Sequence, residues 1–270
     1  VANLNTDELQ EALDRTYDYT VLVVEDDPDI QGYLQAELKQ NFHVLVADNG
    51  VKALEVLMSE EVSVVVSDVM MPEMNGFDLC RKIKSDIVLS HLPVMLLTAL
   101  SDDKQQMYGA ASGADAYIQK PFNIEVVKLR IIKLLEDRAR LREAYARDAS
   151  SPAVSVKEEK AESMDDLFMN RFLKLIEESY ADPDFSIEKG SEKLGLSRVH
   201  LYRKVKELAG VTPTDFLRNY RLKKAAALLR RKAGNVNEVA YATGFGSPAY
   251  FSKCFKAVYN ITPTEYLEKE

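Results

Sequence analysis

Two apolar runs in this chain end in acids, and those acids are its first candidates for chemistry. Thr20-Val21-Leu22-Val23-Val24 runs straight into Glu25-Asp26-Asp27, and Val62–Val66 is followed by Ser67-Asp68. A single Asp after an apolar run is ordinarily a turn former or a helix cap. Several acids at the ends of neighbouring parallel strands are different, because ligands of an open parallel sheet sit beyond the carboxyl ends of its strands. If those ends are neighbours, three carboxylates converge. At about 4 Å and an effective dielectric near 20, each like-charged pair repels by roughly 4 kcal/mol. Such a cluster is best relieved by a bound cation, and an oxygen-only ligand set favours Mg²⁺.

Two further apolar runs end in complementary groups. Val94-Met95-Leu96-Leu97 ends in Thr98-Ala99, and Ala116-Tyr117-Ile118-Gln119 ends in Lys120-Pro121-Phe122. A hydroxyl and an ammonium facing a metal-bound Asp are what an aspartyl phosphate needs for its remaining oxygens. Taken singly, Thr98 could be a strand-end hydroxyl, Tyr117 sheet packing and Lys120 a solvated charge. Their joint occurrence at successive strand ends favours the phosphoryl reading.

The elements that must position these groups follow from the pattern. A length of 270 residues suits about two domains, and 46% apolar residues can build real cores. In the first half, the β-rich runs 20–24, 44–47, 62–67, 93–97 and 116–119 alternate with amphipathic stretches near 28–40, 50–59, 75–85, 103–112 and 123–147. That alternation predicts an α/β domain with a five-stranded parallel sheet covered by helices on both faces. Residues 148–164, small and charged without an apolar period, read as a linker, and residues 1–18 as a separate N-terminal segment. From 165 to 270 the pattern is all helical and contains a repeat. Leu194–Leu217 recurs as Thr243–Leu267, with Gly195 matching Gly244 and, one residue further out of step, Ser197/Ser247, Leu201/Phe251, Lys206/Lys256 and Pro213/Pro263. Each copy reads as a short helix, a Gly turn, a Ser cap and a longer helix, which is a helix-turn-helix unit.

Charge divides along the same line. Residues 1–148 carry 15 Lys/Arg and 26 Asp/Glu, a net of −11, whereas 186–259 carry 15 and 5, a net of +10. The second half therefore suits an anionic partner. Two cysteines, Cys80 and Cys254, form neither a disulfide framework nor a zinc-ligand pattern, which fits a reducing cytoplasm. The apolar runs are far too short to span a bilayer, so no membrane contact is expected of this chain.

Residues 19–147 resemble a response-regulator receiver domain, with "VVEDD", "SDVMMPEMNGFDL", "LLTA" and "ADAYIQKPF" in family order. The resemblance implies a doubly wound sheet of flavodoxin-like order and a phosphoryl group accepted from a histidine kinase. It makes Asp68 the phosphoacceptor, with Glu25, Asp26, Asp68 and the Met70 backbone carbonyl as Mg²⁺ ligands and Asp27 just outside the set. Thr98 becomes the switch hydroxyl, Tyr117 the switch aromatic and Lys120 the phosphate-contacting lysine. It also implies a homodimer on phosphorylation, paired through a face that includes 103–112, 116–119 and 123–138.

Residues 165–270 resemble the DNA-binding domain of AraC-type regulators, most specifically in "GFGSPAYFSKCFK". The implied partner is double-stranded DNA. Recognition helices would begin at Ser197 and Ser247, offering Arg198, His200, Arg203 and Lys204 from the first and Ala249, Tyr250 and Lys253 from the second. The sequence leaves open whether the basic groups meet guanine edges or phosphates. Tyr202, Phe251 and Phe255 are expected in the core. Gly190-Ser191 stands where the second unit has Val239-Ala240, a departure from the family's apolar–Ala pair that puts the packing of the first short helix in doubt.

The leading reading is thus a phosphorylation-controlled transcription factor rather than an enzyme. An Asp-nucleophile phosphatase would need a second Asp where Met70 stands. A receiver serving as a phosphorylation-independent interaction module is the remaining alternative. The start at Val1 rather than a methionine, with the style of "HLYRKVKEL", resembles hybrid systems in which receiver and output domain follow a sensor kinase on one polypeptide.

Overall fold

The computed structural model describes residues 6–99, 112–150 and 163–268. It divides into two compact units, Val1–Arg140 and Leu141–Glu270.

The first unit is built on strands β1 (Thr20–Val24), β2 (His43–Ala47), β3 (Val64–Asp68), β4 (Val94–Thr98) and β5 (Ala116–Gln119). All neighbours pair parallel, in the order β2-β1-β3-β4-β5. This is the flavodoxin-like order, and it puts the ends of β1, β3 and β4 side by side. β3 and β4 are buried along their whole length, as near-continuous Val/Leu runs in a sheet covered on both faces should be. Val21, Val23, Val64, Val66, Met95 and Leu97 form one core layer with α2 (Pro28–Leu38) and α5 (Ile124–Ser150), the helices contributing Leu34, Leu38, Val127, Ile131 and Leu135. The alternate residues Leu22, Val65 and Leu96 are equally buried, as are Ala53 and Leu57 of α3 (Gly50–Ser59) and Leu79, Cys80 and Ile83 of α4 (Gly76–Ser85). The starts of α2, α3 and α4 are chemically marked. Asp27 accepts from the Asp29 and Ile30 N–H groups, Asn49 from Val51 and Lys52, and Asn75 from Asp78.

Two boundaries differ from the sequence reading. Residues 1–18 were set apart, yet helix α1 (Thr6–Asp14) leads into Tyr17, whose ring stacks on Phe42 at 5.5 Å. The Asn41 side chain donates to the carbonyls of Leu13 and Arg15 at 2.6 and 2.8 Å, so this segment is fastened to the sheet domain. Helix α5 continues through Ser150, past residue 148 where a linker was expected. The helix expected at 103–112 lies outside the described residues except for Ser112.

The second unit is all helical: α6 (Met164–Ser179), α7 (Ile187–Leu194), α8 (Arg198–Ala209), α9 (Pro213–Arg230), α10 (Val236–Ala242), α11 (Pro248–Tyr259) and α12 (Pro263–Glu268). α7–α8 and α10–α11 are the two copies of the repeat. Their turns hold Gly195 and Gly244 at φ of +70° and +80°, a left-handed conformation that costs glycine little. Ser197 and Ser247 cap the second helix of each copy by accepting from His200 and Tyr250. The second copy packs Val239, Ala240, Phe245, Phe251 and Phe255 against Leu222, Ala225 and Leu229 of α9. In the first copy the Gly190-Ser191 departure is accommodated by the aromatic Phe185. A Cβ at Gly190 would come within 3.2 Å of that ring and 3.3 Å of Leu175, so their carbons occupy the place of a side chain. The Ser191 hydroxyl is satisfied by the Glu188 carbonyl at 2.7 Å.

Candidate functional site

At the carboxyl edge of the sheet, β1 delivers Glu25 and Asp26 and β3 delivers Asp68. One oxygen of each carboxylate lies within 4.8 Å of the others. Glu25 is 2% exposed and Asp68 6%, whereas Asp26 is open to solvent. The Lys120 ammonium sits 2.8 Å from Glu25 Oε2 and 2.9 Å from Asp68 Oδ1. Burial pushes the Glu25 carboxyl above its usual range, Lys120 pulls it back and Asp68 raises it further. Burial works against the Lys120 charge too, but its hydrogen bonds to the two carboxylates outweigh that, and its pKa is raised. Three carboxylates against one ammonium leave a negative pocket of hard oxygen donors, and these residues fit a divalent cation such as Mg²⁺.

The turn after β3 is shaped around Asp68. Its Oδ2 accepts from the Met70 N–H at 3.2 Å. A Cβ at Gly76 would lie 2.1 Å from the Asp68 carbonyl oxygen, so only glycine lets the start of α4 approach the strand end this closely. Asp27 stands apart from the cluster because it caps α2. Thr98 ends β4 and is buried, and its carbonyl accepts from the Lys120 N–H at 2.7 Å. The Tyr117 and Ser112 hydroxyls are hydrogen-bonded at 2.6 Å, and the Ser112 carbonyl accepts from the Cys80 thiol at 3.2 Å. Ser112, which the sequence reading did not single out, therefore ties Tyr117 to α4.

The helical unit offers the starts of α8 and α11. Ser247, Ala249, Tyr250 and Lys253 are exposed, Tyr250 by 53%. Arg198 is exposed, while His200 and Arg203 are half-buried. The Arg198 Nε lies 3.2 Å from Glu188 Oε1, and its guanidinium sits over the Tyr202 ring at 5.5 Å. Tyr202 itself is only half-buried, and Phe251 and Phe255 are core residues as expected.

The response regulator receiver domain family matches residues 21–132, and a helix-turn-helix domain family matches 191–269. The chain joins a response-regulator receiver to an AraC-type helix-turn-helix domain. Histidine kinase P4 of Formosa agariphila is 38% identical over 263 residues, which are 97% of this chain and 19% of that protein. The transcriptional regulatory protein HptR of Staphylococcus aureus N315 is 27% identical over 232 residues, 84% of this chain and 87% of that protein. The transcriptional regulatory protein GltR of Pseudomonas aeruginosa is 38% identical over 117 residues, 43% of this chain and 48% of that protein. The chain thus spans about a fifth of the length of the kinase and about half that of GltR.

One expected DNA contact is corrected. Lys204 has no exposed surface: its Nζ lies 2.5 Å from Asp165 Oδ1 of α6, and 5.8 Å from the centroid of the Phe168 ring. A side chain so enclosed cannot reach a phosphate or a base. Asp165, its partner, was not among the candidates. In the repeat Lys204 aligns with Cys254, which is half-buried and packs against the core of the second copy. Among the described residues no helix is long and apolar enough to cross a membrane.

Proposed function

We propose that the chain is a phosphorylation-controlled transcriptional regulator of a two-component system, with Asp68 as phosphoacceptor and the α8 and α11 faces as the DNA-binding surface. The observation that carries this reading is the buried Asp68 carboxylate, paired with Lys120 Nζ at 2.9 Å in the same pocket as Glu25 and Asp26. In the proposed transfer an Asp68 carboxylate oxygen attacks the phosphorus of a phosphohistidine. The O–P bond of an acyl phosphate forms as the P–N bond breaks, and the imidazole leaves as a neutral ring after taking up a proton. Lys120 pairs with the phosphoryl oxygens in place of part of its contact with Asp68, and the Thr98 hydroxyl donates to another oxygen. Glu25, Asp26, Asp68 and the Met70 carbonyl would hold Mg²⁺, which supplies charge neutralisation for the approaching phosphoryl group.

The donor is a histidine kinase, on a separate chain or upstream on the same polypeptide, as the alignment with a protein named a histidine kinase favours. Phosphorylation promotes dimerisation, and a dimer places two DNA-binding domains on one duplex, making the second contact intramolecular.

Incubating the purified chain with a small phosphodonor and Mg²⁺ tests the acceptor. A stable stoichiometric adduct is expected; continuous phosphate release would indicate a phosphatase, and no reaction an inert receiver. Sedimentation and operator affinity with and without beryllofluoride test the coupling. Identical mass and affinity in both conditions would remove the receiver's control of output.

A further inference from the structure

We infer that the two recognition helices read different base chemistry: α8 anchors its half-site on a guanine through Arg198, and α11 reads the methyl groups of thymines through Pro248, Ala249 and Tyr250. The inference rests on the DNA-binding reading above and adds the substrate class of each half.

The internal repeat supplies its own control. At matched positions the two copies agree in their later cations, Arg203 with Lys253 and Lys206 with Lys256, and both Lys206 and Lys256 are exposed. Charges common to both units suit what every DNA half-site shares, its phosphates. The copies differ at the start of the helix, where Arg198 is matched by Pro248, and the groups supporting the arginine change with it. Glu188, which holds the Arg198 Nε at 3.2 Å, is matched by Asn237; Tyr202, which lies under the guanidinium, is matched by Ser252. The Tyr202 ring is itself fixed, because its hydroxyl is hydrogen-bonded to that of Thr214 at 2.5 Å. A guanidinium held through Nε and stacked on a fixed ring keeps its two terminal nitrogens for one planar partner. In the major groove that partner is the O6 and N7 pair of guanine.

The start of α11 has no cation to offer. Ala249 and Tyr250 are exposed and Pro248 is half-buried beside them. The ring of Tyr250 lies 6.2 Å from Phe245, which is buried, so the aromatic surface stands on a firm base. An apolar patch entering the major groove matches one base-specific feature, the thymine 5-methyl group. Val199, 63% exposed on α8, adds an apolar contact beside Arg198, so guanine dependence is what separates the halves.

The test uses the full chain with Mg²⁺ and beryllofluoride. It selects bound duplexes from a random-sequence DNA pool and then modifies the selected duplex one base at a time. Replacing the critical guanine of one half by 7-deazaguanine should cost about tenfold in affinity. The Arg198→Ala variant should bind the modified and unmodified duplexes equally. Replacing thymines of the other half by deoxyuridine should cost a few-fold, and Ala249→Gly should shrink that loss, while 7-deazaguanine there has no effect. If both halves depend on guanine N7, or if deoxyuridine is tolerated at every thymine, the inference is overturned while DNA binding stands. If no duplex is retained at low salt, the DNA-binding reading itself fails, and this inference with it.

Discussion

The receiver draws three carboxylates and an ammonium together at one sheet edge, whereas the helix-turn-helix domain spreads its basic side chains over helix faces and brings Lys204 inside against Asp165. Both regions contain buried charge, but the two arrangements serve different ends. In the receiver the acids outnumber the ammonium, so the pocket holds unspent negative charge that a cation or a transferred group can answer. In the helix-turn-helix domain the buried Lys204 meets one acid, Asp165, at 2.5 Å, which suits a structural link. An excess of buried charge of one sign marks a site; a buried pair marks a joint.

The most severe way to break that contrast is at the acceptor. Asp68→Asn should abolish labelling by a small phosphodonor, because an amide is not a nucleophile, while circular dichroism shows a folded receiver. Labelling at an unchanged rate would move the acceptor elsewhere.

Next in size is the joint. Lys204→Met leaves the Asp165 carboxylate buried without its cation and should destabilise the domain by about 3–5 kcal/mol in denaturant unfolding. Replacing both members, Asp165→Leu with Lys204→Met, should recover most of that loss. Equal stability of all three forms would mean that the pair is solvated.

Smaller effects belong to the half-buried Arg203 of α8. Arg203→Ala should weaken binding by roughly 1 kcal/mol on every duplex and flatten the salt dependence by about one counterion, as loss of a phosphate contact does. A loss confined to particular sequences would make Arg203 a base reader instead.

The mildest test uses the thiols. Burial pushes Cys80 up to about 11, and Cys80 has no exposed surface, whereas Cys254 is half-buried. Iodoacetamide at neutral pH should therefore modify Cys254 well before Cys80. A thiol whose folded pKa is raised stabilises the fold below its unfolded pKa and loses that contribution as pH rises, here between about 9 and 11. Over that window the chain should lose more stability than a Cys80→Ala variant measured alongside.

The same contrast explains what could be read from the sequence. A strand end is a sharp address: Val23-Val24-Glu25 and Val66-Ser67-Asp68 each place an acid at the edge of the sheet, and the parallel order makes those edges neighbours. A helix is a looser one. From Arg198 to Lys206 the basic residues fall on several sides of α8, and residue type does not tell Arg203, half-buried, from Lys204, which has no exposed surface. The fastening of residues 12–17 to Asn41 and Phe42 was invisible for a related reason. It depends on a side-chain amide 26 and 28 positions away in sequence, and no local pattern announces such a bond. The continuation of α5 through Ala149-Ser150 was missed because small residues are compatible with both helix and linker.

The Asp165–Lys204 joint also decides where this molecule can be cut. Asp165 lies in the first turn of α6, while Lys204 lies midway along α8. A fragment beginning at Leu167 would keep α8 yet lose the Asp165 carboxylate that the buried Lys204 meets. A fragment beginning at Ser163 would keep the pair and the helix cap that precedes it. The joint thus sits at the head of α6: any cut after residue 165 removes the acid that Lys204 of α8 meets at 2.5 Å.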